Sequence, residues 1–166
     1  EDLAQVELPE RSREYVGSIA RLSAYRLPMN LDAWDGYPAC RARMFERLLE
    51  DASNPVVVAG DTHNGWAFNL RDKDDAPVGV EVGCPGISSP GIENYFPLPA
   101  EQLRAALLAS SDELVALESE HRGWALITLT PDVMTSRWRL VSTVLSRDYD
   151  VVETEPLTCR VGQRQF

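Results

Sequence analysis

The residues with the clearest chemical potential lie directly behind a short apolar run. Asp61 and His63 are separated by one residue and follow the Val-Val-Val-Ala run at 56–59. If the backbone is extended there, alternate side chains project to the same side, which brings a carboxylate and an imidazole into one small volume. Carboxylate oxygen suits calcium, magnesium or manganese, and imidazole suits iron or zinc. The spacing is therefore compatible with a metal site at Asp61 and His63, which a pair of neighbouring ions could share, although D-x-H is a weak motif by itself.

The plainer interpretation of the same loop is that Asp61 caps a turn and His63 is an ordinary exposed histidine. Three side chains nearby bear on this choice. Asn64 carries an amide that can orient a ligand, and Trp66 and Phe68 either shield the site from water or pack in the core. We predict that Asn64 and Trp66 contact the substrate or support the metal ligands from behind. No catalytic residue beyond the metal ligands and no nucleotide-binding residue is predicted.

Other reactive side chains lack a supporting pattern. His121 lies in a highly charged stretch and is predicted to be a surface histidine, while Ser88 and Ser89 are not part of a G-x-S-x-G elbow. The sequence has no P-loop and no dinucleotide fingerprint. The cysteines have no C-x-x-C spacing, which excludes a zinc ribbon and favours small buried side chains; they are Cys40, Cys84 and Cys159.

Helical periodicity predicts an amphipathic helix that precedes the candidate site in the sequence and a second one that follows it. Apolar spacing predicts helices over 39–52 and 99–109, and a capping pattern predicts a short third helix from Ser111 through Leu117. Pro38 suits the first turn of the helix over 39–52.

Strand patterns surround these helices. Apolar or alternating segments predict four strands, at 56–59, 78–82, 123–129 and 136–143. Two further edge strands are predicted at 150–153 and 158–161. The continuous apolar run at 56–59 is typical of a strand buried on both faces, so we expect it at the centre of a sheet. The mixture predicts an α/β fold with a β-rich C-terminal half.

Length and charge limit the classes of function. The chain has 166 residues, of which 44% are hydrophobic and 25% charged, and it contains no apolar run long enough to span a membrane. This length supports one structural unit over 1–166. Sixteen basic against 26 acidic residues give a net charge of −10, which argues against a nucleic-acid-binding surface and is compatible with bound cations.

Several loops together resemble the C-terminal part of a PhoD-type alkaline phosphatase (alkaline phosphatase D), within the calcineurin-like metallophosphatase superfamily. The segments that carry this resemblance occur in the family's order, at 31–38, 58–67, 80–81, 87–91 and 122–131. The resemblance implies an αββα sandwich, a mixed sheet with flanking helices, and metal-dependent hydrolysis of phosphate monoesters and diesters.

The resemblance also implies a two-metal centre. By this match Asp61 binds the second ion, calcium, and His63 binds the first, iron, with zinc, manganese and magnesium as alternatives. The superfamily's early ligand motifs, an Asp-x-His, a Gly-Asp and a Gly-Asn-His, cannot be placed elsewhere in this sequence. We therefore expect that the N-terminal part of the catalytic domain is absent, and that this chain supplies only the last metal-ligand motif.

The partners implied are a phosphate ester substrate and the missing N-terminal part of the same enzyme, and the family's usual location implies a periplasmic or secreted protein. A different class of function stays open, namely a non-catalytic binding or structural module derived from the metallophosphatase fold. Half of a shared sheet would also expose apolar surface and favour aggregation.

Overall fold

The structure, a computed structural model, describes residues 9–25, 30–96 and 98–166. Within these residues the α-helices are α1 (Glu10–Ala24), α2 (Pro38–Asp51) and α3 (Ala100–Ser110). Short 3-10 helices cover Trp34–Gly36 and Ile92–Asn94. The strands are β1 (Val56–Ala59), β2 (Gly65–Arg71), β3 (Pro77–Gly83), β4 (Leu114–Glu118), β5 (Arg122–Leu129), β6 (Val133–Val141), β7 (Val151–Glu153) and β8 (Leu157–Arg160).

Helix α2 shows how local sequence becomes packing. It begins at Pro38, whose fixed φ and missing N–H suit the first helical turn, and it ends at Asp51. Its apolar side chains recur every three or four residues and therefore form one stripe. This stripe packs on the sheet that contains β2 and β3, and its members are Met44, Phe45, Leu48 and Leu49. The helix predicted over 39–52 is confirmed within one residue.

The first sheet, sheet A, has the strand order β1-β3-β2-β4. Strand β1 runs parallel to β3 with Val56 opposite Val80, and β2 lies antiparallel between β3 and β4. The prediction that the run at 56–59 forms a central strand is wrong for the described residues, where β1 lies at the edge of the sheet. Val58 is 60% exposed as a result. A continuous apolar run indicates that a strand is buried, but it does not say which neighbouring elements supply the burial.

The segment predicted as a third short helix is strand β4. It pairs antiparallel with β2, with Leu117 opposite Trp66 and Ala116 opposite Ala67. The side chains of Leu114 and Leu117 are buried in this arrangement. Pairing with the edge of sheet A satisfies the backbone groups and buries both leucines, and this tertiary gain overrides the local helical preference.

Sheet B is built around a long hairpin. Strands β5 and β6 pair antiparallel along their full lengths, from Arg122 opposite Val141 to Leu129 opposite Met134. Strands β7 and β8 pair with successive parts of β6. The strands predicted at 123–129 and 136–143 therefore pair as a hairpin, and the two predicted edge strands are confirmed.

The two sheets pack face to face. Val80 and Val82 of sheet A lie against Met134 and Cys159 of sheet B, and all four side chains are buried. The indole Nε1 of Trp138 donates across the interface to the carbonyl oxygen of Gly83, at 3.0 Å. Helix α2, sheet A and sheet B thus form successive layers, which confirms the predicted mixed α/β class.

Two other expectations meet the structure here. Of the three free cysteines only Cys159 is buried, whereas Cys84 is half-buried and Cys40 is exposed, so the expectation of three buried thiols is wrong for the last two. Among the described helices, none is both long enough and apolar enough to cross a membrane.

Candidate metal centre

The candidate site lies where two parallel strands end. Residues 60–64 follow β1 and residues 84–91 follow β3, and these strands are parallel neighbours. The carboxyl ends of parallel strands meet at one edge of a sheet, where α/β proteins commonly bind ligands. The two loops are joined there, because the N–H of Gly86 donates to the carbonyl oxygen of His63 at 2.8 Å.

The backbone of the first loop differs from the extended geometry expected. Asp61 has φ of 70° and His63 has φ of 63°, so both residues are left-handed, and Thr62 N–H donates to Gly60 O at 2.9 Å in a tight turn. The condition of an extended backbone is therefore not met, and the alternation of side chains along an extended segment does not apply to Asp61 and His63. Left-handed backbone is uncommon for residues other than glycine, costs about 1–3 kcal/mol, and concentrates at functional sites.

The ring of His63 is oriented by one hydrogen bond. Its Nδ1 lies 2.8 Å from the carbonyl oxygen of Pro90. A carbonyl only accepts, so Nδ1 carries the proton, and in the neutral ring Nε2 then carries the free lone pair. Histidines that bind metals through one nitrogen are commonly held in this way through the other. The side chain of Asp61, two residues earlier, is exposed.

Asn64 lies behind these two residues. It is fully buried; its Oδ1 accepts from the N–H of Ile92 at 2.7 Å and its Nδ2 donates to Glu93 Oε2 at 3.3 Å. Both ends of the amide are thus engaged inside the protein. This placement suits the support predicted for Asn64 better than direct contact with a substrate.

Trp66 lies at the start of β2. Its ring stacks on that of Phe68 with centroids 6.0 Å apart and planes 10° apart, and Phe68 in turn packs against the cluster around Phe45. Trp66 therefore shares the sheet face that α2 covers. Its Nε1 is buried and has no hydrogen-bond partner within the described residues.

Asp61 and His63 could supply only part of a set of metal ligands. One carboxylate and one imidazole are donors that suit calcium and iron or zinc, but two donors hold an ion only when further ligands complete its coordination. Within 9–25, 30–96 and 98–166, no group of three His, Cys, Asp or Glu side chains could hold a metal ion. The residues present therefore fit part of a metal centre.

The comparisons with known proteins identify the family of the chain. The sequence profile of the PhoD-like phosphatase family matches residues 4–138. The chain belongs to this family. It is 28% identical to alkaline phosphatase D of Bacillus subtilis (strain 168) over 117 residues, which cover 68% of the chain and 19% of that protein.

A solved structure extends the likeness to the fold. The structure of PhoD superposes with a TM-score of 0.62 at 21% identity, and the match covers 80% of this chain and 25% of that chain. This PhoD-like chain therefore shares the α/β fold of the matching part of that structure. It spans about a fifth to a quarter of the length of the relatives it matches.

Sequence reasoning missed the groups that support the loop in this PhoD-like chain. Pro90 accepts from His63, Glu93 accepts from Asn64, and the guanidinium of Arg122 donates to Glu93. Burial by itself raises the pKa of Glu93, but hydrogen bonds from Gly91 and Asn64 and the charge of Arg122 hold the pKa below its ordinary value of 4.5. Contacts across about 30 residues leave no periodic signal in a sequence.

Two cavities differ in their relation to the loop. A groove of about 350 Å³ borders the candidate site and is lined by Ser88, Pro90, Glu93, His121 and Leu145, among others. His121 is partly exposed and faces Glu118, as expected for a surface histidine. The second cavity, of about 240 Å³, lies under α2 around Arg41 and Glu81, and no residue of 60–64 lines it.

Proposed function

We propose that Asp61 and His63 are ligands of a metal centre that hydrolyses phosphate esters, as an alkaline phosphatase or phosphodiesterase. Membership of the PhoD-like phosphatase family supports phosphatase chemistry. The single observation that carries the proposal is the bond from His63 Nδ1 to Pro90 O, because it leaves Nε2 free at a strand-end loop.

The two ligands have different preferences. Asp61 offers hard oxygen and is assigned to calcium, while His63 offers imidazole nitrogen and is assigned to iron; zinc, manganese and magnesium are the alternatives. When bound, such ions polarise the phosphoryl group and lower the pKa of a coordinated water. The chain's own contribution is to keep the His63 ring in one tautomer and to place Asp61 in the tight turn that precedes it.

The remaining ligands come, in this proposal, from the N-terminal part of the catalytic domain, and the chain forms the C-terminal part as one unit over 1–166. The groove beside Pro90 and His121 is the proposed place for the organic group of the ester, because it opens next to the ligand loop. Trp66 and Asn64 keep the supporting roles predicted for them. A periplasmic or secreted location completes the proposal.

The test uses the longest gene product that contains this sequence. We expect bound iron and calcium by elemental analysis, together with hydrolysis of p-nitrophenyl phosphate or its bis ester. Asp61→Asn and His63→Gln should each lower kcat by at least about a hundredfold, because each removes a ligand. Asp74→Asn is the matched control, since its side chain is exposed and lies outside both the loop and the groove. Unchanged turnover and metal content in His63→Gln would overturn the proposal.

A second candidate is a binding or structural module without catalysis. The observation that favours it is that no third metal ligand adjoins Asp61 and His63 within the described part of the chain. The same assay separates the two functions: absence of both metal and hydrolysis in the longest gene product would select the module. For the 166-residue chain alone we expect weak metal binding.

A further inference from the structure

A charged pair lies behind the loop that carries His63. Arg122, the first residue of β5, is only 7% exposed, and its guanidinium donates to Oε1 of Glu93. Its other terminal nitrogen donates to the carbonyl oxygen of His121 at 3.2 Å. Arg122 therefore ties the loop after β3 to the start of sheet B.

Glu93 passes this connection on to two residues. Its Oε1 also accepts from the N–H of Gly91 at 2.9 Å, and its Oε2 accepts from Nδ2 of Asn64 at 3.3 Å. One carboxylate thus joins its own loop to the residue that directly follows His63.

The decisive detail is the peptide unit between Pro90 and Gly91. Its N–H points to Glu93 Oε1, while its carbonyl oxygen accepts from His63 Nδ1 at 2.8 Å. A trans peptide is planar, and its N–H and C=O point in opposite directions. A carboxylate that fixes the N–H therefore also fixes the direction in which the carbonyl meets the histidine ring.

The packing leaves this peptide little freedom. A Cβ on Gly91 would lie 2.2 Å from Oδ1 of Asn64, so only glycine allows this approach. Asn64 itself is held at its other end by the N–H of Ile92.

We infer that the Glu93–Arg122 pair positions His63. Through the 90–91 peptide the pair sets the Nδ1–H tautomer, which leaves the lone pair of the neutral ring on Nε2. Its value for metal binding rests on the proposed function, whereas the control of the tautomer does not. Glu93 and Arg122 are positioning residues, since they reach the ligand atom only through the peptide and the ring.

The test is the tautomer of His63 in the metal-free 166-residue chain, measured by long-range proton–nitrogen correlation NMR at a pH where the ring is neutral. The chain has only two histidines, so His121 serves as an internal reference. In the wild type we expect the Nδ1–H form to dominate by about tenfold, the size of one well-formed hydrogen bond. A dominant Nε2–H form in the wild type would overturn the inference without any variant.

Two variants test the pair itself. Glu93→Gln keeps the shape of the side chain but replaces an acceptor by a donor, and Arg122→Lys keeps the charge but loses the guanidinium geometry. We expect the Nε2–H population to rise several-fold in Glu93→Gln and less in Arg122→Lys. The matched control is Glu153→Gln. Like Glu93, Glu153 accepts hydrogen bonds from arginine, in its case from Arg137 and Arg139, but it lies on β7 in sheet B.

The outcomes distinguish this inference from the proposed function. A wild-type tautomer ratio in a folded Glu93→Gln chain would refute the positioning role, whatever metal is bound. A shifted ratio in Glu93→Gln but not in Glu153→Gln supports it. If the tautomer responds as expected and the longest gene product binds no metal, the proposed function fails and the positioning role stands.

Discussion

Two glutamates of this chain each lie near an arginine, yet their pKa values are shifted in opposite directions. Glu93 accepts hydrogen bonds from Gly91, Asn64 and Arg122. Glu81, on β3 under α2, has no hydrogen bond or ion pair within the described residues, although it faces Arg41 across a cavity. Both oxygens of the Glu93 carboxylate accept hydrogen bonds, whereas the Glu81 carboxylate accepts none from the described residues.

The arginines explain the difference. Arg122 is 7% exposed and directs its guanidinium to Glu93. The side chain of Arg41 is 27% exposed, stays 3.9 Å from Glu113 and 4.0 Å from Asp35, and stacks over the Phe45 ring at 4.4 Å. Arg41 is therefore shared between two carboxylates and an aromatic ring, and its ion pairs with the carboxylates are both long.

The pKa shifts follow from this contrast. Burial raises the pKa of Glu81 above 4.5; Arg41 opposes the rise, while Asp35 and Glu113 add to it. Burial also acts on Glu93, yet the hydrogen bonds reverse its effect and lower the pKa. The comparison teaches that burial alone does not set the charge state of a carboxyl group in this protein; its hydrogen bonds do.

The largest expected change in stability comes from replacing the arginines. Arg122→Met should lower the free energy of unfolding by about 2 kcal/mol, because it leaves the half-buried Glu93 without its cation and removes a buried guanidinium. Arg41→Met should cost about 1 kcal/mol or less, since its ion pairs are long and partly exposed. Urea denaturation at pH 7 measures both, and equal losses would remove the distinction between the two regions.

The next effect has opposite signs at the two carboxylates. At pH 7 we expect Glu93→Gln to lose about 1–2 kcal/mol of stability, because an amide cannot accept all of the bonds that Glu93 accepts. Glu81→Gln should gain about 0.5–1 kcal/mol, because it removes a half-buried charge without a hydrogen bond. Equilibrium unfolding of the two variants beside the wild type checks the signs, and a loss in Glu81→Gln would contradict this account.

Acidification should erase both differences. The folded pKa of Glu93 is depressed, so its stabilising contribution is present above the ordinary value of 4.5 and is lost as the pH falls through the folded pKa. The folded pKa of Glu81 is raised, so its penalty is present above that pKa and disappears as the pH falls towards 4.5. Unfolding curves from pH 7 to pH 3 should show the Glu81→Gln advantage disappear first. A constant difference across this range would exclude titration as the cause.

The smallest effect concerns the exposed side of the loop that Glu93 supports. Asp61→Gly should raise stability by up to about 1 kcal/mol, because glycine adopts its positive φ without strain. Asp75→Gly is the matched control, since Asp75 also has a positive φ, of 64°, in the β2–β3 turn. Thermal unfolding should show similar gains in both variants, while only Asp61→Gly should lose a proposed metal ligand. A loss of stability in Asp61→Gly alone would show that the carboxylate itself holds the turn.

Much of the fold was readable from local patterns. The structure contains the stripe of α2 with Pro38 at its start, the alternation along β3 and the two strands β5 and β6, each within a few residues of the predicted place. Two elements were misread for one reason, which is that their neighbours are distant in sequence. The segment Leu114–Glu118 is a strand because β2 lies beside it, and β1 is an edge strand because only β3 pairs with it among the described strands.

The candidate site divides in the same way. Residue types and spacing alone located Asp61 and His63 behind a strand and indicated metal chemistry, because donor identity is a local property. The left-handed turn and the hydrogen bonds that join His63 to Pro90 and Glu93 to Arg122 have no such local pattern. Those contacts exist only after β1, β3 and β5 have come together, since directions and hydrogen bonds between distant segments are decided by tertiary packing and leave no pattern along the chain.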